Sequence, residues 1–135
     1  MPSKPESKFW KRLQKTTLDQ GVHLTRLESW AVPGVPDLHG IVNGYAFWVE
    51  LKINNLKSLK SISLSPLQIS WQIQYCDHGG KVWNLVDHPS SRTVNLFWGG
   101  RAQELAMHRE PLTADWSENY DSLWGERLIK FILAH

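Results

Sequence analysis

Apolar positions along this chain recur first at helical spacing, then in strict alternation, and the changes of period mark out its elements. From Glu6 to about Gln20, Phe9 and Leu13, joined by Trp10, form a helical stripe, with Ser3 placed to cap it and Gly21 to stop it. Val22 to Trp30 alternates, with Val22, Leu24 and Arg26 on one side, and predicts a strand. Two β-rich runs then meet at Asn43-Gly44, the dipeptide of a two-residue hairpin turn, and predict a hairpin from about Asp37 to Ile53. Residues 54–63 are basic and serine-rich and read as a mobile loop. Ser65-Pro66-Leu67-Gln68 carries a serine cap, a proline at the first helical position and a glutamine in the capping-box place, so a helix starts there. It runs to about His78 and stops at Gly79-Gly80, with Leu67, Trp71, Ile73 or Gln74, and Tyr75 on its apolar side. Strands follow at Lys81 to Asp87 and at Thr93 to Trp98, then a short helix to about His108 and an irregular stretch over 109–118. A final helix is expected from Asn119, with Leu123, Trp124, Leu128, Phe131 and Ile132 apolar. The order α-β-β-β-α-β-β-α predicts an α/β fold, a mixed β-sheet flanked by helices, in one domain over residues 1–135.

The hairpin has a chemical consequence. If Asn43 and Gly44 form the turn, Val42 faces Tyr45, and the same register carries Asp37 opposite Glu50. Lys52, two residues beyond Glu50, shares its face. Carboxylates facing each other across a hairpin, with β-carbons about 5 Å apart, repel. A divalent cation between them removes that repulsion, and oxygen donors suit Mg²⁺ or Mn²⁺ rather than Zn²⁺. The opposite face, Phe47, Val49, Leu51 and Ile53, reads as core. His39 shares the face of Asp37 and lies within reach of the same site.

Composition narrows the setting. The chain is 41% hydrophobic and 21% charged, which fits a globular protein, and it holds no apolar run near the roughly 18 residues of a membrane span. The polar start predicts no secretory leader. The single cysteine, Cys76, excludes a disulfide frame and a thiolate zinc site and fits a cytoplasmic protein. Net charge is only +2 but unevenly spread. Lys4, Lys8, Lys11, Arg12 and Lys15 crowd the first helix, and Lys52, Lys57 and Lys60 follow the hairpin, whereas residues 104–126 are net acidic. Two basic patches beside a carboxylate site suit a polyanion such as nucleic acid. Lys8, Lys11, Arg12, Lys57 and Lys60 are therefore candidate phosphate contacts, as is Arg26 on the first strand.

Pro36-Asp37 and Glu50-Leu51-Lys52 resemble the signature of the PD-(D/E)XK nuclease superfamily, which includes restriction endonucleases and Holliday junction resolvases. The ordered set of Glu6, Gly34 to Asp37, Glu50 to Lys52, Ser65 to Gln68, Gly79-Gly80 and Val82 to Val86 looks like the small stand-alone VRR-NUC-type proteins of phages and bacteria. The likeness covers about residues 6–87; residues 93–135 form an extension without a placeable motif. It implies a restriction-endonuclease-like sheet. It further implies that Asp37, Glu50 and the backbone carbonyl of Leu51 bind Mg²⁺, with Mn²⁺ a substitute, and that Lys52 orients water and stabilises charge. Glu6 is the helix acid of that pattern, with Glu28 its competitor, and Gln68 gains an active-site role beside its capping one.

The expected function is thus a Mg²⁺-dependent endodeoxyribonuclease, selective for branched DNA such as a Holliday junction. Two symmetric cuts call for a homodimer. A restriction-type, nicking or flap-processing nuclease stays open, as does a non-catalytic nucleic-acid-binding module. A protein-interaction domain with a structural carboxylate–lysine cluster is the third class.

Overall fold

The computed structural model describes residues 4–27 and 32–135. Six strands form one sheet in the order of the chain: β1 (His23–Arg26), β2 (Leu38–Val42), β3 (Tyr45–Ile53), β4 (Val82–His88), β5 (Thr93–Trp98) and β6 (Trp116–Asn119). Every neighbouring pair is antiparallel except β3 and β4, which run parallel. A parallel pair needs a crossover, and helix α2 (Pro66–Asp77) supplies it. Helices α1 (Lys4–Thr17) and α4 (Trp124–Ala134) pack on one face. There Phe9, Leu13, Leu128 and Ile132 meet Phe47, Val49, Leu51, Leu85 and Leu96. On the other face a smaller cluster joins Ile62, Leu64, Val86, Phe97 and Leu105, the last from α3 (Ala102–Met107). With both faces covered, all seven residues of β4 are buried, His88 and Asp87 included.

The turn at Asn43 and Gly44 has φ of 50° and 77°, both in the left-handed region that a type I′ hairpin requires. Val42 pairs with Tyr45 and Leu38 with Val49, the expected register. The cap of α2 is complete: the Ser65 hydroxyl accepts from the Gln68 N–H at 3.1 Å, and Gln68 Oε1 accepts from the Ser65 N–H at 2.9 Å.

Four expectations change. Loop 54–63 is tied down rather than mobile: Asn54 Nδ2 donates to the Lys60 carbonyl at 2.7 Å, His88 Nε2 meets the Leu56 carbonyl at 2.8 Å, and the Ile62 N–H donates to the Leu105 carbonyl. The stretch over 109–118 ends in a strand, because Trp116 and Ser117 pair with Leu96 and Asn95. The last helix starts at Trp124, five residues later than expected. Asn119 belongs to β6, Asp121 caps the Leu123 N–H at 2.8 Å, and Leu123 stays exposed. In α2 the buried residue is Gln72, not Leu67, which is exposed. β1 ends at Arg26, and the expected cap Ser3 and residues 28–30 of the strand expected over 22–30 lie outside the described residues.

Candidate functional site

The site forms where β2 stops short of the end of β3. Trp48 and Asn54 send their N–H groups toward β4, to the carbonyls of Lys81 and Asp87. Strand geometry therefore turns the N–H and C=O of Leu51 the other way, toward β2. But β2 begins at Leu38, opposite Val49, so no strand residue is left to meet Leu51. Asp37 fills the gap with its side chain: Oδ2 accepts from the Leu51 N–H at 3.0 Å. That bond pins the Asp37 carboxylate at the edge toward which the Leu51 carbonyl also points. Leu27, just past β1, donates its N–H to the Asp37 carbonyl at 2.8 Å and fixes the backbone beneath.

Gly34 lets this loop approach α2. Its φ is +94°, and a β-carbon there would sit 2.7 Å from the Leu67 carbonyl oxygen. The Gly-Val-Pro-Asp run is therefore seated on the start of the helix that delivers Gln68.

Glu50 lies at the centre. It stands beside Asn84 in the β3–β4 ladder and is buried, its side chain 4% exposed. Gln68 Nε2 donates to Glu50 Oε2 at 3.1 Å, and Lys52 Nζ is 3.6 Å from the same oxygen. Lys52 Nζ also donates to Gln68 Oε1 at 3.3 Å. Gln68 thus closes a triangle with the acid and the amine while its Oε1 completes the cap of its own helix. Glu50 Oε1 is buried with no hydrogen-bond donor on it, and the Asp37 carboxylate lies within hydrogen-bonding reach of Glu50, so a proton held by Glu50 bridges the two acids when no cation is there. Burial and the negative charge of Asp37 push the Glu50 carboxyl up to about 8 despite Lys52, and Glu6 in the first turn of α1 adds to the rise.

The structure therefore brings together Asp37, Glu50, Leu51, Lys52, Gln68 and Glu6. Among the described residues no three His, Cys, Asp or Glu side chains form a ready-made metal cage. The oxygen donors on offer are two carboxylates and a backbone carbonyl, a hard set that leaves room for water and fits Mg²⁺. A buried carboxylate oxygen without a donor, beside a second carboxylate, is the feature a divalent cation would satisfy.

The other candidates separate. Glu28 lies outside the described residues. His39 faces Trp48, not Glu50, and packs edge-on against it with ring centroids 4.9 Å apart. Arg26 pairs with Leu38, which turns it to the α1 face of the sheet, away from the carboxylates. Lys8, Lys11 and Arg12 line an open groove with Ile53, Asn55, Asp87 and Pro89. Arg12 is occupied: its guanidinium pairs with Asp87 at 2.8 Å and lies over the Tyr120 ring, and the Tyr120 hydroxyl donates to Asp87 at 2.6 Å. Its charge is spent on a buried carboxylate, whereas its neighbours Lys8 and Lys11 are exposed. Lys57 is exposed on the loop, and the carbonyl of Lys60 anchors that loop through Asn54.

Sequence reasoning missed Gln72 and Asn84, a fully buried pair joined by two hydrogen bonds of 2.9 and 2.7 Å. The spacing of Gln68 and Gln72, one helical turn apart on one stripe, was the available signal.

No family model and no curated protein matches the chain. Among solved structures it is similar to Hjc of Archaeoglobus fulgidus, a Holliday junction resolvase from an archaeal hyperthermophile. The TM-score is 0.50 at 18% identity, over 71% of this chain and 74% of that one. At that identity the likeness speaks to the fold, which is restriction-endonuclease-like: a mixed sheet between helices, with the Asp-Glu-x-Lys residues at the end of its hairpin.

Proposed function

We propose, for a chain with this fold and this site, that it is a Mg²⁺-dependent endonuclease hydrolysing phosphodiester bonds in DNA. Its preferred substrate is branched DNA of the four-way-junction kind. The observation that carries the reading is Glu50: a buried carboxylate, one oxygen without a donor, pressed against Asp37 and flanked by Lys52. A surface used only for binding has no need of an acid held so far from its ordinary ionisation.

Asp37, Glu50 and the Leu51 carbonyl would hold the ion, with Mn²⁺ an adequate substitute for Mg²⁺. Bound there, Mg²⁺ would acidify water and neutralise charge on a phosphate. The protein's own part is positional and electrostatic. Asp37 is oriented by the Leu51 N–H and Glu50 by Gln68. Lys52, its side chain 17% exposed, keeps its ammonium at the mouth of the site, where it stabilises negative charge developing on the phosphoryl oxygens. Glu6 adds negative potential that strengthens cation binding. Lys8, Lys11 and Lys57 offer the flanking charge that a DNA backbone requires.

The branched-DNA preference is supported by the likeness to a junction resolvase. Paired cuts on a symmetric junction imply a homodimer. The ordered motifs from Glu6 to Val86 favour the VRR-NUC-type branch of the superfamily.

The test uses labelled four-way junction, flap, duplex and single strand, with Mg²⁺, Mn²⁺ or chelator. Asp37→Ala, Glu50→Ala and Lys52→Ala are run beside the native chain. Symmetric, metal-dependent cuts on the junction, absent in all three variants, are expected. Equal cleavage of plain duplex would remove the junction preference, and binding without cleavage in either metal would leave a binding module.

A further inference from the structure

We propose that the buried Gln72–Asn84 pair is a positioning device for the candidate site, setting the one placement of α2 over the sheet at which the Gln68 amide reaches both Glu50 and Lys52. For its purpose the inference rests on the nuclease reading; its geometry stands independently.

Helix α2 is described throughout, and of its 12 residues Gln72 is the buried one. Ile69 and Ile73 are only partly buried against the smaller cluster, and Leu67 is exposed. At its one fully buried position the helix thus carries an amide, set between Ile69 and Ile73 on the smaller cluster and Trp71 and Tyr75 against Trp48 of β3. Gln72 Nε2 donates to Asn84 Oδ1 at 2.9 Å, and Asn84 Nδ2 donates back to Gln72 Oε1 at 2.7 Å. Both residues are 0% exposed.

This pair is one of two rungs between the same helix and the same strands. Gln68 and Gln72 are four residues apart and share a helix face. Glu50 and Asn84 are direct neighbours across the β3–β4 ladder. The first rung is Gln68 on Glu50, and the second is Gln72 on Asn84. Apolar side chains keep most of their contact energy when a helix slides or rolls by a fraction of an ångström. A reciprocal amide pair does not, because two hydrogen bonds must stay near 2.9 Å and well aligned together. If they open, two amides are left unpaired away from water. The second rung thus permits one height and one rotation of α2, and the first rung inherits them.

The experiment compares the native protein, Gln72→Met with Asn84→Leu, and the swap Gln72→Asn with Asn84→Gln, which keeps the summed side-chain length. Each is checked for fold by circular dichroism. Cleavage of a four-way junction in Mg²⁺ is separated into kcat and KM, and the Gln68 side-chain amide is followed by ¹H–¹⁵N NMR. The apolar double variant should fold and keep KM within about twofold. It should lose about tenfold or more in kcat, the scale of one misplaced hydrogen bond to a charged group. Its Gln68 resonances should move toward those of a free glutamine. The swap should restore both. A folded apolar variant with native kcat or unshifted Gln68 resonances would overturn the proposal. If that variant does not fold, the swap decides: native-like Gln68 resonances support the device, and free-glutamine resonances in a folded swap overturn it. If the native protein cleaves nothing, the nuclease reading falls, while the Gln68 resonances still judge the pair.

Discussion

Replacing Glu50 by glutamine should make the metal-free protein more stable and inactive at once. In the fold the Glu50 carboxyl is pushed from 4.5 to about 8 by burial and by Asp37. Its unfolded counterpart ionises near 4.5. Between these values the unfolded chain has lost its proton while the folded chain still holds it, so stability falls as pH rises across that window. The shift from 4.5 to about 8, at about 1.4 kcal/mol per pH unit, amounts to about 5 kcal/mol by pH 8 and above. Glutamine keeps an oxygen to accept from Gln68 Nε2 and carries no charge, so Glu50→Gln removes the penalty without emptying the space. Urea unfolding of both proteins in chelator at pH 4 to 9 measures it. The difference should be near zero at pH 4 and grow to several kcal/mol in favour of the variant by pH 8. Added Mg²⁺ should raise the stability of the native protein at pH 8 and leave the variant nearly unmoved, because only an ionised pair binds the cation tightly. A difference that stays flat with pH, or a variant less stable at pH 8, would refute the reasoning, since Glu50 would then be ionised in the metal-free fold.

Other substitutions separate chemistry from support. Lys52→Met should lower kcat for junction cleavage by about 100-fold or more, with DNA affinity changed far less, as read by single-turnover kinetics beside a binding titration. Gly34→Ala places a β-carbon 2.7 Å from the Leu67 carbonyl at φ +94° and should lower unfolding stability by about 1–3 kcal/mol while also slowing cleavage. Lys8→Ala with Lys11→Ala should reduce the slope of log affinity against log salt by about 2, since two phosphate contacts are lost. Arg12→Ala should leave that slope nearly unchanged and lower stability by about 1–3 kcal/mol, because it leaves Asp87, which is 5% exposed, with the Tyr120 hydroxyl but without its cation.

The residues that read most clearly from sequence are those governed by neighbours in the chain. Asn43-Gly44 demanded its turn, and the turn dictated which side chains of β2 and β3 share a face; Asp37, one residue beyond the ladder, is held beside Glu50 by Leu27 and Leu51. Ser65 to Gln68 announced the start of α2 for the same reason, every partner of a cap lying within one turn. The basic patches were visible as composition, but composition does not pair charges. Arg12 looked equivalent to Lys8 and Lys11 until Asp87, 75 residues away, took its guanidinium.

What the sequence by itself determined is the hairpin, the Glu50-x-Lys52 face and the capped helix, each set by dihedral preference or by the two-residue and four-residue periods. Tertiary structure alone decided the rest. It placed Gln68 across Glu50 and Lys52, buried Gln72 against Asn84, and drew the polar run Trp116–Asn119 into the sheet as an edge strand. It also left a Glu50 oxygen without a donor. These depend on desolvation and on contacts between distant segments. A carboxylate is ordinary in a list of residues, and it becomes a seat for a cation only when water is excluded and a second carboxylate is brought against it.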